Sequence, residues 1–312
     1  MNMTQEIATR DAYGNKLAQL GEKYSHIVVL DADLSGSTKT NIFAKKFPQR
    51  FFNMGVAEQG MMGTAAGLAA CGKTVFVSTF AIFATGRAWE PIRQSIAYPN
   101  LNVKICASHA GLTVGEDGAS HQAIEDVAVM RVIPQMKVFV PSDAVETEKI
   151  LEAIVEDAGP CYVRLGRAKT PVLFDPSYSF KIGRGHVLKE GKDLCFFTHG
   201  FLTSHVLQAA EILAQKNISC TVASMASVKP IDADLIVAMA KKHRTLVSVE
   251  EHSIIGGLGS AVAEVLTDKC PHSLIRLGVN DEFGQSGSYQ EVVRHYKLDA
   301  EGIANSVLGK KA

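Results

Sequence analysis

The sequence predicts an α/β protein of two domains, each a mostly parallel sheet flanked by helices. Short β-rich runs, apolar on both sides, alternate with helical stretches, which is the pattern of a parallel sheet covered on both faces. The alternation breaks once, over residues 175–193, and then restarts. The length of 312 residues suits two domains at roughly 150 residues each.

Each element has its own warrant. Residues 26–30 (HIVVL), 73–77 (KTVFV), 103–107 (VKICA), 137–140 (KVFV) and 161–165 (CYVRL) read as strands, because they are short and rich in β-branched and aromatic side chains. Residues 145–156 read as an amphipathic helix. Ser120 is expected to cap a helix running from Ala123 to Met130. Residues 175–193 carry Pro176, Gly183, Gly185 and Gly191 with little periodicity. They read as an interdomain connection with room for a short strand. Beyond it, 194–198, 220–223, 245–249 and 274–277 read as strands. Residues 204–215, 232–242 and 257–266 read as helices. The expected division is a first domain over 1–178, a linker over 179–192 and a second domain over 193–312.

Composition excludes several function classes. Lys plus Arg number 32 and Asp plus Glu number 32. A net charge of zero argues against a nucleic-acid partner or a polybasic membrane surface. No run approaches the ~18 apolar residues of a membrane helix. Residues 1–10 are polar and charged without the apolar core of a secretory signal. Six cysteines, at 71, 106, 161, 195, 220 and 270, are scattered with no C-x-x-C pair and no His at ligand spacing. Buried reduced thiols, a cytoplasmic location and no metal site in this chain are the expectation.

Four segments carry candidate chemistry. Glu58 heads a stretch crowded with Gly60, Gly63, Ala65, Ala66, Gly67, Ala69 and Ala70. Each Gly costs a helix about 1 kcal/mol relative to Ala. The gain is close approach of another helix or a flat ligand, beside which a poorly solvated carboxyl could share a proton with a ring nitrogen. A salt-bridged helix-start residue is the plainer alternative. Next, residues 107–126 (ASHAGLTVGEDGASHQAIED) follow a predicted strand, so they lie where an open α/β sheet binds ligands. His109, Asp117 and His121 concentrate titratable groups in that one loop. Phe80 and Phe83 are three apart and share a face if helical, as core or as a stack for a heterocycle. Finally, Arg10, Arg164 and Arg167 could fork onto phosphate, although arginines are mostly surface residues.

Together these segments carry a resemblance. GVAEQGM at 55–61, STFAIF at 78–83, SHAGLTVGEDGASHQAIED at 108–126, VFVPSDAVET at 138–147 and VEEHSIIGGLGSA at 249–261 stand in the order found in the transketolase family of thiamine-diphosphate enzymes. The resemblance runs to YKLDAEGI at 296–303 and so covers nearly the whole chain. It implies a pyrimidine-binding domain followed by a transketolase C-terminal domain. The family's G-D-G…N diphosphate- and Mg-binding motif is missing; the similar string Gly115-Glu116-Asp117-Gly118 belongs to the loop above. The chain therefore resembles the C-terminal subunit of a split transketolase.

What the resemblance implies is specific. Glu58 matches the carboxylate that hydrogen-bonds the cofactor's aminopyrimidine, and Phe80 and Phe83 match the aromatics stacked on it. His109 and His121 match catalytic loop histidines, and Asp117 matches the residue that binds a donor hydroxyl. Arg10, Ser37 and Arg167 match the phosphate-holding set, with Arg164 competing for the role of Arg167. A third aromatic of some relatives falls near Gly86, and some relatives carry Gln where His121 stands. The implied activity is transfer of a two-carbon ketol unit between sugar phosphates. The cofactor is thiamine diphosphate, with Mg2+ held by an N-terminal diphosphate-binding partner in a heterotetramer with homodimeric contacts. A 1-deoxyxylulose-5-phosphate synthase-like enzyme, a 2-oxo acid dehydrogenase beta subunit-like enzyme and a non-catalytic relative are the alternatives.

Overall fold

The structure, a computed structural model, describes residues 5–311. Residues 1–4, part of the segment read as lacking a secretory core, lie outside the described residues. In chain order the chain forms β1 (Glu6–Ala8), α1 (Thr9–Lys23), β2 (Ile27–Asp31), α2 (Ser35–Thr38), α3 (Asn41–Lys46), β3 (Phe51–Asn53), α4 (Glu58–Ala70) and β4 (Thr74–Ser78). Then come α5 (Trp89–Pro91), β5 (Val103–Ala107), α6 (Asp126–Arg131), β6 (Lys137–Phe139), α7 (Ala144–Glu156), β7 (Cys161–Arg164) and β8 (Lys169–Pro171). The second half holds β9 (His186–Lys189), β10 (Leu194–Thr198), α8 (Leu202–Ala214), β11 (Cys220–Ser224) and β12 (Ser227–Lys229). It ends with α9 (Ala233–Lys242), β13 (Thr245–Ser253), α10 (Leu258–Lys269), β14 (Leu274–Val279), α11 (Tyr289–His295) and α12 (Ala300–Lys311).

The first sheet has the order β12-β6-β7-β5-β4-β2-β3 and is parallel except for β12. Period-two alternation explains why its strands are apolar throughout. In β2, Val28 and Leu30 pack with Met61 and Met62 of α4, while Ile27 and Val29 pack with Leu17 of α1 and Leu151 of α7. The second sheet, β14-β13-β10-β11-β9, repeats the logic. Phe196 faces the side of α8, α11 and α12, and Phe197 faces the side of α9 and α10. α7 starts where the sequence says it should, because the Asp143 carboxylate accepts the Glu146 N–H at 2.7 Å.

The structure changes two readings. Ser120 does not cap a helix from Ala123; the helix begins at Asp126. The Ala123 carbonyl is taken by Gly111 N–H at 2.9 Å and Arg164 Nη2 at 3.1 Å, and that of Ile124 by Ser253 N–H at 2.7 Å. Carbonyls so engaged are not available to a helical turn. The connection holds the short strand it had room for. β9, inside the interval read as a connection, pairs antiparallel with β11, and β12 from the second half reaches back to pair with β6 of the first sheet. Finally, Cys71 is exposed and Cys270 half-exposed, while the other four cysteines are buried. No helix among the described residues is long and apolar enough to cross a membrane.

Candidate active site

Three parallel strands deliver the candidate residues to one edge. β2 ends at Asp31, β4 at Ser78 and β5 at Ala107. The segments that follow carry Ser37, Phe80 and His109, at the carboxyl ends where such sheets bind ligands. Asp31 holds the first turn in place. Its buried carboxylate accepts Leu34 N–H at 2.6 Å, Thr38 Oγ1 at 2.6 Å and Thr40 Oγ1 at 2.8 Å. Arg10, at the start of α1, then ties two segments together. Its Nη1 donates to the Ser37 carbonyl at 3.2 Å and to His109 Nε2 at 3.0 Å.

The His109 contact fixes a tautomer. Guanidinium has no acceptor, so Nε2 must offer its lone pair and Nδ1 carries the proton, donated to Ser108 Oγ at 2.9 Å. Burial, reinforced by the charges of Arg10 and Arg167, pushes the His109 pKa down to about 3. The backbone there has φ +55°, in the left-handed region. The ring lies on Phe80 with centroids 3.8 Å apart.

Phe80 and Phe83 stack with centroids 5.9 Å apart and planes 15° from parallel. Phe83 opens a wide turn over Phe83–Arg87 with i→i+5 hydrogen bonds. His121, half-exposed, stands edge-on to both rings at 6.4 and 5.5 Å and hydrogen-bonds Ser120 through Nδ1. An added Cβ at Gly86 would meet nothing within 4 Å.

Glu58 is the first residue of α4 and only 2% exposed. Arg87 Nη1 donates to both of its oxygens, at 3.2 and 3.1 Å. Beyond Glu58 the helix presents Gly63 and Gly67, where an added Cβ would meet nothing within 4 Å. The small residues therefore leave a smooth, open face.

The arginines separate cleanly. Arg164 is buried and committed internally: Nε donates to Asp126 at 2.8 Å, and Nη2 to the carbonyls of Ala123 and Glu251. Asp126 and Glu251 hold its pKa above the ordinary arginine value despite burial. Arg167 is 36% exposed and lies on the 112–117 turn, donating to the Val114 carbonyl at 2.5 Å and pairing with Glu116 at 3.2 Å and Asp117 at 3.8 Å. Pairwise contacts thus link Arg10 to the Ser37 carbonyl and His109, His109 to Phe80, and Phe80 to Phe83 and His121, while Arg167 pairs with Asp117 and its charge reaches His109. Glu58 joins them through Arg87, and Arg164 stays in the core. Sequence reading missed Arg87, since nothing in spacing links positions 58 and 87. It also missed Asp31, although an aspartate ending an apolar strand was visible.

Family models for the transketolase pyrimidine-binding domain and the transketolase C-terminal domain match residues 5–172 and 183–303. A Methanocaldococcus jannaschii protein provisionally named a transketolase C-terminal section is 51% identical over 96% of this chain and 95% of its own length. One of the subunits of an apulose-4-phosphate transketolase, from Phocaeicola vulgatus, is 37% identical over 97% of both chains. A solved structure described as a split gene transketolase, inactive beta4 tetramer, superposes with a TM-score of 0.91 at 54% identity, covering 97% of this chain and 98% of that one. The chain belongs to the transketolase family and carries its pyrimidine-binding and C-terminal domains.

Proposed function

We propose that the chain is the C-terminal subunit of a split transketolase. It would move a two-carbon ketol unit from a ketose phosphate to an aldose phosphate in company with a diphosphate-binding subunit. The similarity to one subunit of an apulose-4-phosphate transketolase and to a split-gene assembly described as inactive supports the need for a partner. In this reading the N-terminal subunit holds the diphosphate and Mg2+ and completes a heterotetramer with homodimeric contacts.

One observation carries the reading: a buried carboxylate, Glu58, is joined through Arg87 to Phe83, one ring of a near-parallel aromatic pair. Those groups fit a flat, hydrogen-bonding heterocycle, so Glu58, Phe80 and Phe83 would hold the aminopyrimidine of thiamine diphosphate. When bound, that cofactor supplies the nucleophilic carbon that breaks and remakes a carbon–carbon bond. Glu58 holds a proton between its carboxyl and the pyrimidine ring nitrogen. His109 stays neutral and would offer Nε2 to a sugar hydroxyl in exchange for its Arg10 contact, with His121 edge-on to the stacked rings. Arg10 and Arg167 supply forked donors and Ser37 a hydroxyl to a phosphate. Asp117 accepts from a donor hydroxyl.

In the reconstituted complex, Glu58→Ala should abolish ketose phosphate turnover while leaving the circular dichroism spectrum intact. Unchanged turnover sinks the reading. Turnover of pyruvate in place of a ketose phosphate would instead assign a 2-oxo acid chemistry.

A further inference from the structure

We propose that the Arg87 guanidinium is a stand-in for the cofactor's aminopyrimidine, holding its place until the cofactor arrives and then swinging out. The inference rests on the reading of Glu58, Phe80 and Phe83 as the pyrimidine site.

An aminopyrimidine in that site needs two things: an aromatic face to lie on and an in-plane hydrogen bond to Glu58. The Arg87 guanidinium has both. Its central carbon is 5.1 Å from the Phe83 ring centroid. Its Nη1 lies 3.2 and 3.1 Å from the two Glu58 oxygens. Guanidinium is planar and delocalised and carries its N–H donors in the plane, so it reproduces the flatness of the ring and the donor edge of its N-protonated form. The contacts are exclusive, because a ring seated on Phe83 against Glu58 needs the space that Arg87 fills.

The two partners differ in freedom. Glu58 is fixed at the first turn of α4 and is 2% exposed. The Arg87 side chain is 53% exposed. Its wide turn, Phe83–Arg87, is of a kind found mostly as local irregularities at functional sites. Removing the partner of a buried charge is costly, which favours a hydrogen-bonding occupant against Glu58. Arg87 serves until the cofactor does. The apparent affinity for cofactor is then lowered by the fraction of molecules with Arg87 seated.

The test uses the full chain reconstituted with its diphosphate-binding subunit. Thiamine diphosphate with Mg2+ is titrated into it by calorimetry, comparing wild type with Arg87→Met, which keeps an apolar stem over Phe83 and removes the ion pair. Arg87→Met should bind up to about fivefold more tightly, the order expected for a half-exposed pair that no longer competes. Trp89, the single tryptophan, lies two residues on. Its fluorescence should change on cofactor addition in wild type and much less in Arg87→Met. If Arg87→Met does not fold, Arg87→Lys, which keeps the charge and loses the plane, should still bind more tightly than wild type. Equal or weaker cofactor affinity in the folded variant overturns the inference and leaves the reading of Glu58 standing. Undiminished affinity in Glu58→Ala, or no binding to the wild-type complex, overturns that underlying reading instead.

Discussion

His109 Nε2 lies 3.0 Å from Arg10 Nη1, and this contact leaves the proton on Nδ1, facing Ser108. The imidazole is therefore neutral and oriented before any substrate arrives. Histidine NMR should show His109 not titrating between about pH 5 and 8, the range in which an unperturbed His changes charge. Arg10→Met removes a cationic neighbour and should raise the His109 pKa from about 3. Burial is the larger cause, so the value should stay below the ordinary range. A wild-type His109 titrating at its ordinary value contradicts the assignment.

Arg164 and Arg167 should respond oppositely to the same change. Arg164→Met strands Asp126 and part of Glu251 in the core. Removing one member of such a buried pair costs about 3–5 kcal/mol, measurable by urea denaturation. Arg167→Met removes a half-exposed contact, so stability should move by less than about 1 kcal/mol. KM for the phosphorylated sugar should rise. Equal stability losses in both variants would show that Arg167 is structural too.

Glu146 gives the fold a pH dependence unrelated to the candidate site. It is fully buried, and burial pushes its pKa up from 4.5 to about 8 against the opposing Ser142 N–H bond. The native state thus keeps the proton longer than the unfolded chain does. The stabilisation is complete below pH 4.5 and is lost as pH rises through about 8. The slope is at most about 1.4 kcal/mol per pH unit. Glu146→Gln should flatten that loss between pH 4.5 and about 8 in thermal denaturation series. An unchanged slope places the titrating group elsewhere.

The glycines of α4 cost the isolated chain stability and leave a surface for something else. An added Cβ at Gly63 or Gly67 meets nothing within 4 Å. Gly63→Ala should therefore stabilise the chain alone by up to about 1 kcal/mol in urea. A bulky Gly67→Leu should fold equally well yet weaken reconstitution with the diphosphate-binding subunit. If reconstitution is unaffected by Gly67→Leu, the open face serves neither partner nor cofactor.

Much of this was legible in the sequence because burial writes itself as pattern. β5 and β10 are apolar at nearly every position and fall where the runs VKICA and LCFFT predict. The 107–126 loop was recognisable by its density of Gly, His and Asp. What could not be read depends on partners distant in the chain. The Glu58–Arg87 pair joins residues 29 apart. The engagement of Arg164 with Asp126 spans 38 residues, and with the Glu251 carbonyl 87. The bridge and bend at Ala123 and Ile124 looked helical because the local sequence suits a cap. Gly111, Arg164 and Ser253 claim their carbonyls from elsewhere. β12 was likewise invisible, because a three-residue strand draws its pairing from β6 and not from its own periodicity.

The central claim is that this chain holds one wall of a shared site. The direct measurement is ketol transfer from a ketose phosphate to an aldose phosphate, with thiamine diphosphate and Mg2+ present. It is assayed for this chain alone, for the diphosphate-binding subunit alone and for the mixture. The account predicts turnover in the mixture only, abolished there by Glu58→Ala. Strong turnover by this chain alone would contradict it.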